Sequence, residues 1–285
     1  MFHMRVAYHI ITWGSGRLLE ALRDLSALGY RAFEPVDAVD QEYAAGRVEE
    51  FMALIRPHDL RLSAVWGPGQ LIYPELHAQE IEQNRSTLRF LHAQGATVMN
   101  TGGVRRPDGA NQPEDYVAQA RILNAIGQEA WEEYGIKVCL HPHWKTSVET
   151  GEEIARMADL LDPRFTWFCM DPAHLVKGGA DPLEIFRTYA GRIGNVHWKD
   201  IRLTVEDARR LPRQVIDRDR SIAGFVELGQ GTIDFPALLQ VLRKQAYDGW
   251  SCVELDYPTE RTPKESAALN KQYLQETMGL SLELD

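Results

Sequence analysis

The sequence predicts an α/β fold, a single (β/α)8 TIM barrel that takes up residues 1–285. Eight apolar runs of strand length alternate with eight helical patterns, and such alternation is typical of a parallel sheet. A length of 285 residues is normal for a barrel of eight strand–helix units. Four of the strand runs end in a side chain that can bind a metal ion, as expected at the C-terminal rim of this fold.

The eight strands are inferred from short runs of apolar residues that lie between turn signals. In chain order they are expected at Arg5–Ile11, Tyr30–Pro35, Leu60–Trp66, Thr97–Thr101, Lys137–Leu140, Thr166–Met170, Ile193–Arg202 and Trp250–Leu255. An open doubly wound sheet is disfavoured because no Gly-x-Gly-x-x-Gly segment follows the first strand.

The eight helices are inferred from helical spacing of apolar residues and from their end signals. They are expected at Arg17–Leu28, Arg47–His58, Pro74–Gln94, Glu114–Tyr134, Glu149–Leu161, Asp181–Ala190, Gly231–Gln245 and Lys264–Thr277. Gly29 and Gly95 mark helix ends, and Asp181-Pro182 supplies a cap and a first-turn proline. The connection Leu203–Gln230 is long for a compact domain, so we expect it to form a lid or a binding loop.

The composition restricts the partners and the location of the chain. Hydrophobic residues make up 44% and charged residues 25% of it, the profile of a globular protein with an ample core. The formal net charge of −10 repels phosphate backbones and argues against a nucleic-acid partner. No apolar run reaches the roughly 18 residues that a membrane span needs. Met1–Thr12 lacks the features of a signal peptide, so a cytoplasmic location is expected, and a homo-oligomer is left open.

A metal site is the main functional prediction. The strand-end residues that can bind a metal are His141, Asp171, His197 and Glu254. Because active sites of this fold lie at the C-terminal ends of the strands, we expect these four side chains to hold one divalent ion. Two imidazoles and two carboxylates suit Mn, Co, Fe or Zn better than Mg or Ca. Manganese is our first choice, with Co, Fe, Zn and Mg as alternatives.

Three cysteines each lie two residues before a predicted ligand. Side chains alternate between the two faces of a strand, so Cys139, Cys169 and Cys252 should point into the barrel one layer below the metal, beside Asn195. They serve there either as small buried residues of the core or as part of the site. An odd number of cysteines without a Cys-x-x-Cys pair argues against a disulfide framework.

Polar and aromatic neighbours of the predicted ligands suit a small polyhydroxylated keto substrate. His143 shares the inward face with His141, and Lys199 can donate a hydrogen bond to a substrate oxygen. Trp13 and Trp66 follow the first and third strands, where they either form aromatic walls for the substrate or pack in the core.

Removal of a proton next to a ketone requires a base close to the metal. A metal ion that binds a carbonyl and an adjacent hydroxyl acidifies the proton on the α-carbon. The base must lie within hydrogen-bonding reach of that proton. Glu254, His143 and His174 are the available bases, and His174 can instead orient Asp171.

Three stretches of the chain carry a family resemblance. They are His141-Pro142-His143 with Thr146, Val148 and Thr150; Val196–Arg202; and Gly229–Phe235 followed by Gly249-Trp250. Together with the predicted ligands, they resemble the sugar phosphate isomerase and epimerase superfamily, the xylose-isomerase-like TIM barrels. Within it, the chain is most similar to the inosose dehydratase branch. The resemblance implies a divalent-metal enzyme that removes a proton next to a ketone, and it adds Arg202 to the predicted substrate-binding residues.

The resemblance also bears on the type of reaction. In epimerases of this superfamily, the ligand after the fifth strand is a glutamate that acts as a second base, whereas this chain has His141. One-base enolisation followed by loss of a β-hydroxyl, a dehydration, therefore fits better than two-base epimerisation. A sugar isomerase or epimerase on the same metal centre is the alternative, and a non-catalytic sugar-binding accessory subunit is the third hypothesis. Gly229–Gly231 is compatible with a phosphate cradle or with a simple turn.

Overall fold

A computed structural model describes residues 4–36, 43–44, 46–107, 109 and 111–284. Its strands are β1 (Arg5–His9), β2 (Ala32–Glu34), β3 (Arg61–Leu62), β4 (Val65–Trp66), β5 (Val98–Thr101), β6 (Lys137–Leu140), β7 (Thr166–Met170), β8 (Ile193–Trp198), β9 (Asp200–Ile201), β10 (Phe225–Val226) and β11 (Trp250–Val253). Among these residues, nine strands form one parallel sheet in the order β3-β2-β1-β11-β8-β7-β6-β5-β4.

The sheet is a barrel because its two end strands are halves of one strand. Only Ser63 and Ala64 separate β3 from β4. β3 pairs with β2, and β4 pairs with β5. The Ser63 N–H extends the first ladder by donating to the Phe33 carbonyl (3.0 Å). The (β/α)8 barrel predicted from the sequence is confirmed, although its third strand is broken rather than continuous over Leu60–Trp66.

The helices are α1 (Leu18–Leu28), α2 (Val48–Ile55), α3 (His77–Gln94), α4 (Pro113–Tyr134), α5 (Gly151–Leu160), α6 (Pro172–Lys177), α7 (Pro182–Thr188), α8 (Val205–Arg210), α9 (Arg213–Arg218), α10 (Arg220–Ala223), α11 (Phe235–Lys244) and α12 (Pro263–Glu276). The eight predicted helices are present with shifted ends. The first predicted strand is too long, because His9 Nδ1 accepts the Ile11 N–H (3.1 Å) and starts a 3-10 helix. Within the described ranges, no helix has the length and apolar character needed to cross a bilayer.

Small side chains fill the barrel below the predicted metal site. Cys139, Cys169 and Cys252 are buried free thiols. They belong to one apolar cluster with Ala7, Ala32, Ala64, Val98 and Trp250. This placement agrees with the alternation that puts each cysteine one layer below a predicted ligand.

Residues 203–224, called the lid here, lie between the paired strands β9 and β10. The sequence predicts a lid or a binding loop, but it misses the three short helices α8, α9 and α10. Two of these helices begin at a capping residue that the sequence contains: Thr204 Oγ1 accepts the Asp207 N–H at the start of α8, and Asp219 Oδ1 accepts the Ser221 N–H at the start of α10. The lid packs on a separate apolar cluster with Trp144, Ala173, Val176, Ile201, Phe225 and Leu255.

The Gly229–Gly231 segment is a turn. Asp200 Oδ2 accepts the N–H groups of Gly229 and Gly231, each at 2.9 Å. A Cβ atom on Gly231 would lie 2.2 Å from Asp200 Oδ1. A carboxylate of the protein thus takes the place that a bound phosphate would need, which decides between the two alternatives left open by the sequence.

Candidate metal and active site

The structure brings the four predicted ligands together at the C-terminal end of the barrel. One ligand atom each from His141, Asp171, His197 and Glu254 lies within 4.8 Å of the other three. All four residues are buried. They follow or end the strands β6, β7, β8 and β11, whose parallel arrangement places their C-terminal ends on one rim.

Several nitrogen and oxygen atoms of these four residues that could bind a metal are buried without a hydrogen-bond partner. In the part of the chain that the structure describes, these include both ring nitrogens of His141, Asp171 Oδ2 and His197 Nδ1. His197 Nδ1 lies 2.6 Å from Glu254 Oε2, yet the contact lacks hydrogen-bond geometry. Buried polar atoms normally have partners. Converging unpaired nitrogen and oxygen atoms therefore fit a bound divalent cation.

The two carboxylate oxygens of Asp171 differ, because one accepts hydrogen bonds from the backbone and the other has no hydrogen-bond partner. It caps α6, where Oδ1 accepts the N–H groups of Ala173 (2.9 Å) and His174 (3.1 Å). Its Oδ2 atom lies 3.9 Å from His141 Nε2 and 3.8 Å from His174 Nε2. The helix cap fixes the orientation of the carboxylate, so that the unpaired oxygen faces the imidazoles.

A second layer of polar side chains holds His197. Glu34 Oε2 lies 3.3 Å from His197 Nε2. Asn100 Nδ2 donates to Glu34 Oε1 (2.8 Å), and Asn195 Nδ2 donates to Asn100 Oδ1 (3.2 Å). A hydrogen-bond partner on one ring nitrogen of a histidine leaves the other ring nitrogen to bind a metal. Glu34 therefore leaves His197 Nδ1 for the ligand position beside Glu254.

Lys199 is a completely buried cation beside the ligand set. Its ammonium donates to Glu254 Oε1 (2.8 Å) and lies 2.9 Å from Asp256 Oδ1 and 3.6 Å from Asp171 Oδ2. Its Nζ atom is also 3.2 Å from His174 Nε2. Lys199 thus occupies one oxygen of Glu254 and orients the other towards His197.

The pKa shifts reflect burial and an excess of acidic groups. Burial lowers the pKa of His141 well below its ordinary value, so this imidazole is neutral. Burial raises the pKa of Asp171. Burial also opposes the charged form of Glu254, but Lys199 and His197 outweigh it and hold its pKa well below the usual range. Burial also opposes the charged form of His197, but Cys169 and the carboxylates of Glu34 and Glu254 outweigh it and raise its pKa well above the ordinary value. The acidic excess therefore favours a positive charge at His197, and a divalent ion can supply that charge in place of the proton.

A cavity of about 270 Å³ opens above these residues. It is lined by His9, Ile11, Trp66, His141, His143, Thr146, His197 and Glu254. His143 Nδ1 lies 2.7 Å from the Trp144 carbonyl oxygen; because a carbonyl only accepts, this nitrogen carries the proton. Burial lowers the pKa of His143 to about 4. The imidazole is thus neutral near pH 7, with an unprotonated Nε2.

The remaining predicted substrate residues are not all at this cavity. Trp66 lines it, with its ring 5.7 Å from that of His141. Trp13 is buried instead, and its indole donates to Asp24 (3.1 Å). The side chain of Arg202 is exposed to solvent. The structure does not bring Trp13 and Arg202 into the group that surrounds the ligands.

Several polar residues at the site were not predicted from the sequence, among them His9, Glu34, Asn100 and Asp256. His9, Glu34 and Asn100 lie at or near the C-terminal ends of strands β1, β2 and β5. The rule that located the predicted ligands also applies to them. Asp256 lies two residues after Glu254, and both carboxylates contact Lys199 Nζ, at 2.9 Å and 2.8 Å.

The fold and the site define a TIM-barrel enzyme with buried His, Asp and Glu side chains at its C-terminal rim. The chain belongs to the xylose isomerase-like TIM barrel family, which residues 22–277 match. The inosose dehydratase of Clostridium perfringens (strain 13 / Type A) is 30% identical over 278 residues, which cover 92% of this chain and 90% of that protein.

Solved structures share the fold. A sugar phosphate isomerase/epimerase from Parabacteroides distasonis ATCC 8503 superposes with a TM-score of 0.75 at 18% identity and covers 99% of this chain and 96% of its own. The IOLI protein with a binding zinc atom gives a TM-score of 0.73 at 17% identity, with coverage of 96% and 97%. At these identities the likeness concerns the fold alone.

Proposed function

We propose that the protein is a divalent-metal-dependent lyase that dehydrates a keto-inositol or a related keto-sugar. The observation that carries this proposal is the convergence of His141, Asp171, His197 and Glu254, whose ligand atoms lie within 4.8 Å of one another. The similarity to inosose dehydratases over most of the chain supports the substrate class. Manganese remains our first choice of ion.

The four ligands and their neighbours would prepare the substrate for proton loss. A divalent ion held by these ligands would polarise the substrate carbonyl and acidify the hydrogen on the adjacent carbon. Lys199, which contacts Glu254 Oε1 at 2.8 Å, fixes the ligand oxygens of Glu254. Glu34 fixes the ring of His197. Rigid ligands limit the reorganisation that the reaction requires.

His143 is the best-placed base. Both oxygens of Glu254 have close contacts, one with Lys199 and the other with His197. His174 Nε2 is 3.2 Å from Lys199 Nζ, and its Nδ1 accepts the Trp144 N–H (3.3 Å). His143 Nε2, in contrast, is unprotonated, and the residue lines the cavity. We therefore assign proton removal to His143 Nε2.

The same imidazole completes the dehydration. Once His143 Nε2 has accepted the α-proton, it is an acid that can return this proton to the hydroxyl on the β-carbon. The C–O bond then breaks and water leaves, while a carbon–carbon double bond forms. The substrate loses one hydrogen and one hydroxyl, and the protein is restored without an oxidant or a reductant.

The test is incubation of the manganese-loaded protein with a keto-inositol and with ketohexoses in D2O. We expect a product lighter by one water from the keto-inositol. Deuterium in a recovered isomer, without loss of water, would instead identify an isomerase or epimerase. Unchanged substrates would refute both.

His143→Gln should lower kcat by about 10²- to 10⁴-fold, the usual contribution of a positioned acid–base group. His77→Gln is the matched control, because the ring of His77 also contacts a backbone carbonyl (Leu71, 3.0 Å) but lies outside the cavity lining. Full activity of His143→Gln would remove this residue from the mechanism.

A further inference from the structure

Side chains of the lid bind the loop that carries His143. We call these contacts, made by Arg213 and Asp217 with Trp144 and Glu149, the clasp. The Trp144 indole Nε1 donates to Asp217 Oδ1 (2.6 Å) on α9. The guanidinium of Arg213, also on α9, stacks over the Trp144 ring at 3.9 Å. Its Nη2 atom donates to Glu149 Oε2 (2.8 Å), which lies on the same loop as Trp144. Charge-assisted hydrogen bonds and a cation–π contact thus hold α9 on this loop.

The backbone of the clasped tryptophan contacts two imidazoles of the site. The Trp144 carbonyl accepts from His143 Nδ1 (2.7 Å). The Trp144 N–H donates to His174 Nδ1 (3.3 Å). The two rings lie 3.6 Å apart, with 35° between their planes. One peptide residue therefore sets which nitrogen of His143 carries the proton and how both rings are turned.

We propose that Trp144 is a positioning residue that couples the docked lid to the orientation of His143 and His174. Its side chain is held by the lid, while its backbone holds the two rings. Release of the lid frees the indole, lets the backbone of Trp144 shift and removes the fixed protonation pattern of His143. The catalytic consequence rests on the proposed function, but the coupling itself does not.

Two variants cut the clasp from opposite sides. Asp217→Ala removes the acceptor on the lid, and Trp144→Phe removes the indole N–H while keeping an aromatic ring under Arg213. Arg210→Gln is the matched control, because Arg210 is a lid arginine whose ion pairs, with Glu206 and Asp207, stay within the lid. The variants and the wild-type protein are all loaded with zinc before they are compared.

The first readouts need no substrate. Hydrogen exchange of the α9 amides reports lid release, and ¹⁵N spectra of labelled histidines report the protonation of each ring nitrogen. In both clasp variants, we expect faster exchange and loss of the separate protonated and unprotonated signals of His143. Unchanged exchange would refute the clasp. Faster exchange with wild-type histidine signals would refute the coupling.

Kinetics with a keto-inositol provide the second readout. A small misplacement of a catalytic group can cost about a hundredfold, so kcat should fall by about ten- to a hundredfold in each variant. The double variant should be no worse than Asp217→Ala, because that variant already removes both the indole contact and the ion pair of Asp217 with Lys145 (3.0 Å). Additive losses would contradict the shared clasp. Absence of turnover in the wild-type protein would count against the proposed function, while the spectra still decide the coupling.

Discussion

Replacement of Asp171 by asparagine separates its metal-binding role from its structural role. Asp171 Oδ1 caps α6 by accepting the N–H groups of Ala173 and His174. Asparagine caps helices about as well as aspartate, so the free energy of unfolding should change by less than about 1 kcal/mol. The charge at the unpaired Oδ2 atom, 3.9 Å from His141 Nε2, is lost.

The loss of metal affinity follows from this charge. Two unit charges about 4 Å apart interact by about 4 kcal/mol at an effective dielectric constant of about 20, and a dication doubles this to about 8 kcal/mol. A water molecule that takes the vacated position on the ion recovers about half of this attraction. A net loss of about 4 kcal/mol remains, which raises the Kd for the ion by about a thousandfold.

The assay is titration calorimetry with Mn²⁺, with thermal unfolding measured in parallel. Asp181→Asn is the matched control, because Asp181 Oδ1 caps α7 in the same way by accepting the N–H groups of Leu183 and Glu184. The control should bind manganese like the wild-type protein. If Asp171→Asn bound the ion as tightly as Asp181→Asn, Asp171 would not be a ligand.

Three further changes test other parts of the account. Glu254→Gln should lose measurable turnover and retain cooperative unfolding in urea, because it removes a ligand charge at the rim; a fully active variant would exclude Glu254. Glu34→Gln should weaken metal binding by about 10- to 100-fold, the usual effect of freeing a histidine ligand, and unchanged affinity would show that His197 needs no such support. Gly231→Ala should lower the free energy of unfolding by about 1–3 kcal/mol, because its Cβ would lie 2.2 Å from Asp200 Oδ1; wild-type stability in urea would contradict that packing.

The sequence predicts the strands that carry the ligands, with one correction. The strand expected over Ile193–Arg202 ends at Trp198, and Asp200–Ile201 pair with β10 in a separate sheet. β6 and β7 have the predicted bounds, Lys137–Leu140 and Thr166–Met170. Strands of this kind are apolar and buried on both faces, and a polar residue at the end of each one stands out. The third strand was less clear, because its break between β3 and β4 depends on pairing with two different neighbours.

The sequence predicts a lid or a binding loop at this connection, but it does not predict the contacts that the lid makes. Trp144 and Asp217 are separated by 73 positions, and no local pattern indicates that an indole and a carboxylate meet across such a distance. The short helices α8–α10 were also missed because four to six residues give too little periodicity. Trp13 was predicted at the substrate site but is not found there. A tryptophan after a strand suits either a substrate wall or the core, and only the packing of the whole chain decides between the two.

The central claim is that one divalent ion is shared by four side chains at the rim of the barrel. Diffraction at the manganese absorption edge, from crystals grown with Mn²⁺, tests it most directly. We expect an anomalous peak within about 2.3 Å of ligand atoms from His141, Asp171, His197 and Glu254. A peak elsewhere in the protein, or none at this group when manganese is in excess, would contradict it.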